Sequence, residues 1–128
     1  MNDTTLRDMI DRRLEGWGYE TGGDDDETLD FLIRKTEHYI KAFCNIDEIP
    51  EELLEAEIDM IALEFLKGKA AYGGLEGSSI QITGVSSISE GDVSLSYSGT
   101  SAFTLSGIYD AAKLQFERDL MPYRRLRW

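Results

Sequence analysis

Apolar side chains recur three and four positions apart in four segments of this chain, which is the spacing that places them on one face of a helix. The pattern predicts helices over about residues 4–15, 27–43, 50–72 and 102–121. The residues at the ends of these segments are of types that typically begin or end helices. They are Gly16 and Gly18 after the first helix, Asp26 and Asn45 around the second, Pro50 in the first turn of the third and Pro122 after the fourth.

The pattern changes between the third and fourth predicted helices. Serine, glycine and threonine dominate residues 77–101, and charged side chains are scarce there. Apolar residues now alternate with polar ones, first at Ile80 and Ile82 and then from Val93 to Tyr97, as in strands with one apolar face. A β-hairpin or an extended arm is therefore predicted over about residues 78–98. Because an isolated hairpin is marginally stable in water, this segment must pack on the helices or on another copy of the chain.

Together these elements predict a single, mainly α domain over residues 1–128, a four-helix bundle with the arm inserted between the third and fourth helices. A chain of 128 residues with 41% hydrophobic residues is long and apolar enough to bury a core. The third helix has one apolar stripe that includes Ile58 and Ile61 and a second that includes Met60 and Leu63. We expect this helix either to lie at the centre of the bundle or to contact a neighbouring subunit as well.

Charge is distributed unevenly along the chain. The formal net charge of −12 lies entirely in residues 1–77, which carry 20 acidic and 8 basic side chains, whereas residues 78–128 carry five of each. Such an acidic chain is not expected to wrap nucleic acid, since that requires a basic surface. The contrast between an acidic part and the basic, aromatic segment 124–128 favours head-to-tail docking between molecules, although solubility alone also explains it.

The sequence contains little that indicates catalysis or a cofactor. His38 is the single histidine and Cys44 the single cysteine, so an intrachain disulfide and a thiolate metal cluster are excluded. We expect Cys44 to be a small buried apolar residue. Glu51, Glu55 and Asp59 are spaced along one helix and offer a metal-dependent enzyme as an alternative, but no Glu-x-x-His motif accompanies them. We therefore expect a non-enzymatic protein with no metal and no cofactor.

No membrane span and no signal peptide are visible in the sequence. We therefore expect the chain to stay in the cytoplasm in which it is made until it is assembled.

Two segments could suggest a ligand site, but neither has the required pattern. The acidic run at residues 24–26 lacks the alternating ligands of a calcium-binding loop. The glycines of residues 73–77 follow a predicted helix, whereas the glycines of a phosphate-binding loop precede one.

Three segments, in this order and spacing, resemble one protein family. They are residues 42–45 followed by 49–53, residues 84–97, and residues 120–128 with Tyr123, Arg124 and Arg125. The set resembles the head-tail connector (head completion or adaptor) proteins of tailed phages and prophages of low-GC Gram-positive bacteria. The resemblance covers about residues 27–128.

The resemblance implies a mainly α-helical subunit of a homo-oligomeric ring, of about a dozen copies, beneath the portal protein of the phage head. The ring would extend the channel through which genome DNA passes without sequence-specific binding, and it would offer a platform to a tail-side adaptor or stopper protein. The expected location is the neck of the virion, and the host cytoplasm during assembly. No catalytic residue is carried over.

Two sets of residues are predicted to make interactions. The arm is expected to form the contact between subunits, and the C-terminal segment is expected to dock on the portal, because arginine and tryptophan are favoured interface anchors; a disordered terminus is the alternative for that segment. The arm residues are Ile80, Ile82, Val85, Ile88, Val93, Leu95 and Tyr97, and the C-terminal residues are Arg124, Arg125, Arg127 and Trp128. The competing functions are another neck or tail-completion protein and an acidic regulatory protein that mimics DNA.

Overall fold

The structure is a computed structural model that describes residues 3–71, 79–82, 93–96 and 101–124. Its α-helices are α1 (Asp3–Gly16), α2 (Asp26–Cys44), α3 (Leu54–Ala71) and α4 (Ser101–Leu120). Short 3-10 turns at Gly23–Asp25 and Glu51–Leu53 precede α2 and α3, and a third at Met121–Tyr123 follows α4. The prediction of a mainly helical bundle is confirmed.

Two helix boundaries show how local chemistry sets the chain's path. Asn45 has a φ of 56° and a ψ of 48°, and its N–H donates to the carbonyl of Lys41, so it ends α2 in the left-handed conformation that asparagine tolerates. Pro50 is extended, with a φ of −60° and a ψ of 145°. The residues after it first form a 3-10 turn, so α3 begins at Leu54, four residues later than predicted.

Strand β1 (Ser79–Ile82) pairs with strand β2 (Val93–Ser96) in antiparallel register, with Ile80 opposite Leu95 and Ile82 opposite Val93. The residues that would form the turn, 83–92, lie outside the described residues. The hairpin or extended arm as a whole therefore stays a prediction.

The core is built around α3, which packs against α1, α2 and α4. Both of its apolar stripes are buried within the chain, since Ile58 and Ile61 are as inaccessible as Leu63 on the other side. The two stripes are thus explained by a central position in the bundle. Within the part of the chain that the structure describes, no helix combines the length and apolar character needed to cross a membrane.

A buried ion pair ties the connection between α1 and α2 to α3. The ammonium of Lys69 lies 2.7 Å from one oxygen of Asp25, while the Tyr19 hydroxyl and the backbone N–H of Gly22 donate to the other oxygen at 2.9 and 3.0 Å. Burial alone would raise the pKa of Asp25, but these donors outweigh it and hold the pKa below its ordinary value.

Candidate functional site: an acidic cleft beside the second and third helices

The reversal of the chain after α2 brings distant carboxylates together. Asn45 turns the backbone out of α2, and residues 46–50 then cross to the start of α3. Glu37 and Lys41 lie one turn apart on α2, and Glu57 lies one turn into α3. The loop between the helices adds its own acidic side chains above them.

The result is a cleft of about 370 Å³, here called the acidic cleft. Its volume lies at the lower end of the range of roughly 300–1,000 Å³ that is typical of ligand sites. Among the residues that the structure describes, Lys41 is the one basic side chain that lines it. The acidic members are Glu37, Asp47, Glu48, Glu51 and Glu57, and the apolar walls are Leu6, Ile49, Pro50 and Leu54.

Glu57 is the unusual member of the acidic cleft. Only 3% of the residue is exposed, and no hydrogen-bond donor for its Oε1 atom is found among the described residues. Burial, reinforced by the charge of Glu37 and opposed by Lys41, raises the pKa of Glu57 to about 7. An ionised carboxylate in this position is costly unless a further cation or donor reaches it.

Of the three carboxylates that the sequence offers as metal ligands, Glu55 and Asp59 line a second cleft between α1 and α3. Arg13 lies 2.5 Å from Glu55 and also forms an ion pair with Asp59. Glu51 lines the acidic cleft instead. Burial raises the pKa of Asp59 to about 6 although Arg13 opposes the shift. These three side chains therefore do not meet in one site, and the described residues contain no group of three or more potential ligands that could hold a metal ion.

Cys44 has the role predicted for it. The residue is fully buried, and its thiol donates a weak hydrogen bond to the carbonyl of Leu120 at 3.6 Å. Burial raises the pKa of the Cys44 thiol, which favours the unreactive protonated form. The thiol thus helps to join the end of α2 to the end of α4.

The C-terminal end of the described chain lies beside α2. The guanidinium of Arg124 is 5.3 Å from the centre of the Phe43 ring, and Phe43 in turn stacks with Tyr39 at 5.8 Å. A cation over an aromatic face is attracted by the ring's negative charge density. This contact places the start of the basic segment 124–128 on the surface of the bundle.

The predicted interaction residues are described to different extents. Ile82 is fully buried in the core of its own chain, so its side chain is not available to a neighbouring subunit in this structure. Arg124 is exposed. The side chains of Ile80, Val93 and Leu95, and all atoms of Val85, Ile88, Tyr97, Arg125, Arg127 and Trp128, lie outside what the structure describes.

The acidic cleft was not predicted from the sequence, although one signal for it exists. Glu57 stands four residues after Leu53 and four before Ile61, both of which are buried, so helical spacing places a carboxylate on an apolar face. A buried acid of this kind is a recognised marker of functional sites. The other members of the cleft come from a loop whose path the spacing does not reveal.

Comparison of the chain with protein-family models, with curated proteins and with solved structures gives no match. The resemblance to head-tail connectors therefore depends on the three sequence segments described above, and it stays an expectation.

Proposed function

We propose that this chain is a phage structural protein, the subunit of a homo-oligomeric ring that joins the portal of the head to the tail. A ring of about 12 copies extends the DNA channel below the portal and carries a tail-side adaptor or stopper protein. The protein is located in the neck of the virion and performs no catalysis.

The observation that best supports this proposal is that the pair formed by β1 and β2 contributes one side chain to a core that the helices and their connections otherwise fill. A two-stranded sheet is marginal in water on its own. Ile82 attaches this pair to the core, since its side chain is fully buried there. The antiparallel register gives positions 80 and 95 the same face of the strand pair as Ile82, and the part of this apolar face that lies beyond the core is proposed to pack on the neighbouring subunit.

The charge of the helical domain also fits a DNA conduit. All of the net charge of −12 lies in residues 1–77, and many of these carboxylates are exposed on α1, α2 and the turns before α2 and α3. Like charges on the wall of a channel keep DNA from adhering to it. The same acidic surface would serve a DNA mimic, so the oligomeric state must decide between the two functions.

The test is the size of the assembly, measured by size-exclusion chromatography with light scattering, with and without a purified portal ring. We expect concentration-dependent oligomers or a defined ring bound to the portal. The double variant Ile80→Asp with Leu95→Asp should abolish this assembly. The control is Leu114→Asp, because Leu114 lies on α4 with 61% of its surface exposed. A wild-type chain that stays monomeric with the portal present, and instead binds a basic nucleic-acid-binding protein, would favour the DNA mimic and refute the ring.

A further inference from the structure

The acidic cleft contains an interaction that is incomplete within the described chain. Glu57 Oε1 is buried without a hydrogen-bond donor among the described residues. Glu57 is the buried acidic member of the cleft and is here called its base, whereas Glu48 and Glu51 are exposed members and are called its rim. A buried acceptor that lacks a donor destabilises the folded state, and it does so more strongly when it is charged. A cationic group that enters the cleft would remove this destabilisation.

The composition of the cleft selects an organic cation over a metal ion. No set of three or more potential metal ligands is grouped in the described residues. Four apolar residues, including Ile49 and Leu54, form walls beside the carboxylates. Such walls suit the alkyl part of an arginine side chain, whose planar guanidinium can then bind carboxylates with two donors at once.

This chain itself carries a segment with the required chemistry. Residues 124–128 contain three arginines, a leucine and a tryptophan, and they belong to the part of the sequence that has no net acidic charge. Arg124 lies against Phe43, which places the start of this segment on the surface. Contact between the tail of one copy and a different surface of the next is heterologous, and heterologous contacts generate rings when the rotation closes.

The geometry points to the acidic cleft as the docking site for the C-terminal arginines Arg125 and Arg127 of a second copy of this chain. The inference rests on the proposed homo-oligomer and deepens it, because it assigns the basic segment to the neighbouring subunit and not to the portal. Glu57 receives a guanidinium at the base of the cleft, while Glu48 and Glu51 bind at its rim.

Protonation of Glu57 should make the strength of this contact depend on pH. The charged residues that line the cleft together with Glu57 are Glu37 and Lys41 from α2, Asp47 and Glu48 from the loop and Glu51 from the turn before α3; Glu37 and Lys41 act on its charge. Its pKa of about 7 leaves it partly protonated at neutral pH. An arginine stabilises the ionised form, so the contact should strengthen as the pH rises from 6 to 8 and should release a proton.

The first experiment measures binding of a labelled peptide with the sequence of residues 121–128, acetylated and amidated, to the full-length chain by fluorescence anisotropy. The full-length chain that receives the peptide, here called the receptor chain, carries Arg125→Glu and Arg127→Glu, so that its own C-terminal segment stays out of the cleft. Adding Glu48→Lys and Glu51→Lys should weaken binding at least about tenfold. The matched control, Glu15→Lys with Glu52→Lys, reverses two exposed charges outside the cleft and should change it less than about twofold.

The pH series measures binding of the same peptide at pH 6 to 8 by the receptor chain and by a receptor chain that also carries Glu57→Gln. This variant should bind with an affinity that no longer rises between pH 6 and 8. Equal peptide binding by the cleft variant and its control, or an unchanged pH dependence in Glu57→Gln, overturns the assignment of the cleft.

The second experiment tests the source of the arginines by charge exchange. Reversal of the rim (Glu48→Lys, Glu51→Lys) or of the tail (Arg125→Glu, Arg127→Glu) should each reduce self-association, and the chain that carries all four changes should recover it. Rings that form equally well with either reversal overturn this inference and leave the proposed function intact. A wild-type chain that remains monomeric while the peptide still binds indicates docking within one chain, which overturns the role of the second copy.

Discussion

Replacing Glu57 by glutamine should stabilise the folded chain much more at pH 8 than at pH 5. The residue is 3% exposed, and its pKa is about 7 against an ordinary value of 4.5. Between pH 4.5 and about pH 7, the two pKa values of this carboxyl, the folded chain keeps a proton that the unfolded chain has released. The free energy of unfolding therefore falls as the pH rises through this window, by a little more than about 1 kcal/mol per pH unit.

Over the whole window the loss amounts to roughly 3 kcal/mol, which is the cost of ionising Glu57 inside the bundle. Glutamine has a similar shape and remains neutral, so the variant avoids this cost above pH 7. We expect it to gain roughly 2–3 kcal/mol at pH 8, the lower figure allowing for relaxation around the charge and for penetration of water. A gain of this size is a substantial fraction of the stability of a small domain.

The assay is urea denaturation followed by circular dichroism at pH 5, 6, 7 and 8, for the wild type, for Glu57→Gln and for the control Glu52→Gln. Glu52 is exposed and lies outside the acidic cleft. Asp59, whose pKa is also raised, contributes a slope of the same sign in all three chains, so only the difference between chains isolates Glu57. If wild type and Glu57→Gln lose stability in parallel between pH 5 and 8, the carboxyl is not buried as described and the reasoning fails.

Three further outcomes test other parts of the structure. Lys69→Met should cost roughly 2–4 kcal/mol of stability by urea denaturation, because it leaves the carboxylate of Asp25 buried without its cation. In the wild type this contribution should fade as the pH falls below about 4, since the pKa of Asp25 is lowered. A loss of stability no larger than that of Lys113→Met would show that the ion pair is dispensable. Ile82→Ala should cost about 2–4 kcal/mol, because the side chain is fully buried, whereas an unchanged midpoint would place it outside the core. A thiol reagent should label Cys44 only as the chain unfolds, and rapid labelling under native conditions would contradict its burial.

Local features of the fold followed from the sequence because they depend on neighbouring residues. The spacing of apolar residues located α1 to α4, and Asn45 ended α2 where its tolerance of a left-handed backbone allowed. The start of α3 was predicted less well, since Pro50 is compatible with both an α-helical and a 3-10 first turn. Periodicity also showed that α3 has two apolar stripes without showing what covers them.

The acidic cleft and its electrostatics were decided by tertiary structure. Helical spacing put Glu55 and Asp59 on one face, but only packing of α1 against α3 brought Arg13 to them. The pKa of Glu57 depends on how much water the fold removes around it, and that depends on residues from α1, from α2 and from the loop after it. Sequence patterns identify which face of an element avoids water, whereas desolvation and charge pairing arise when distant faces meet.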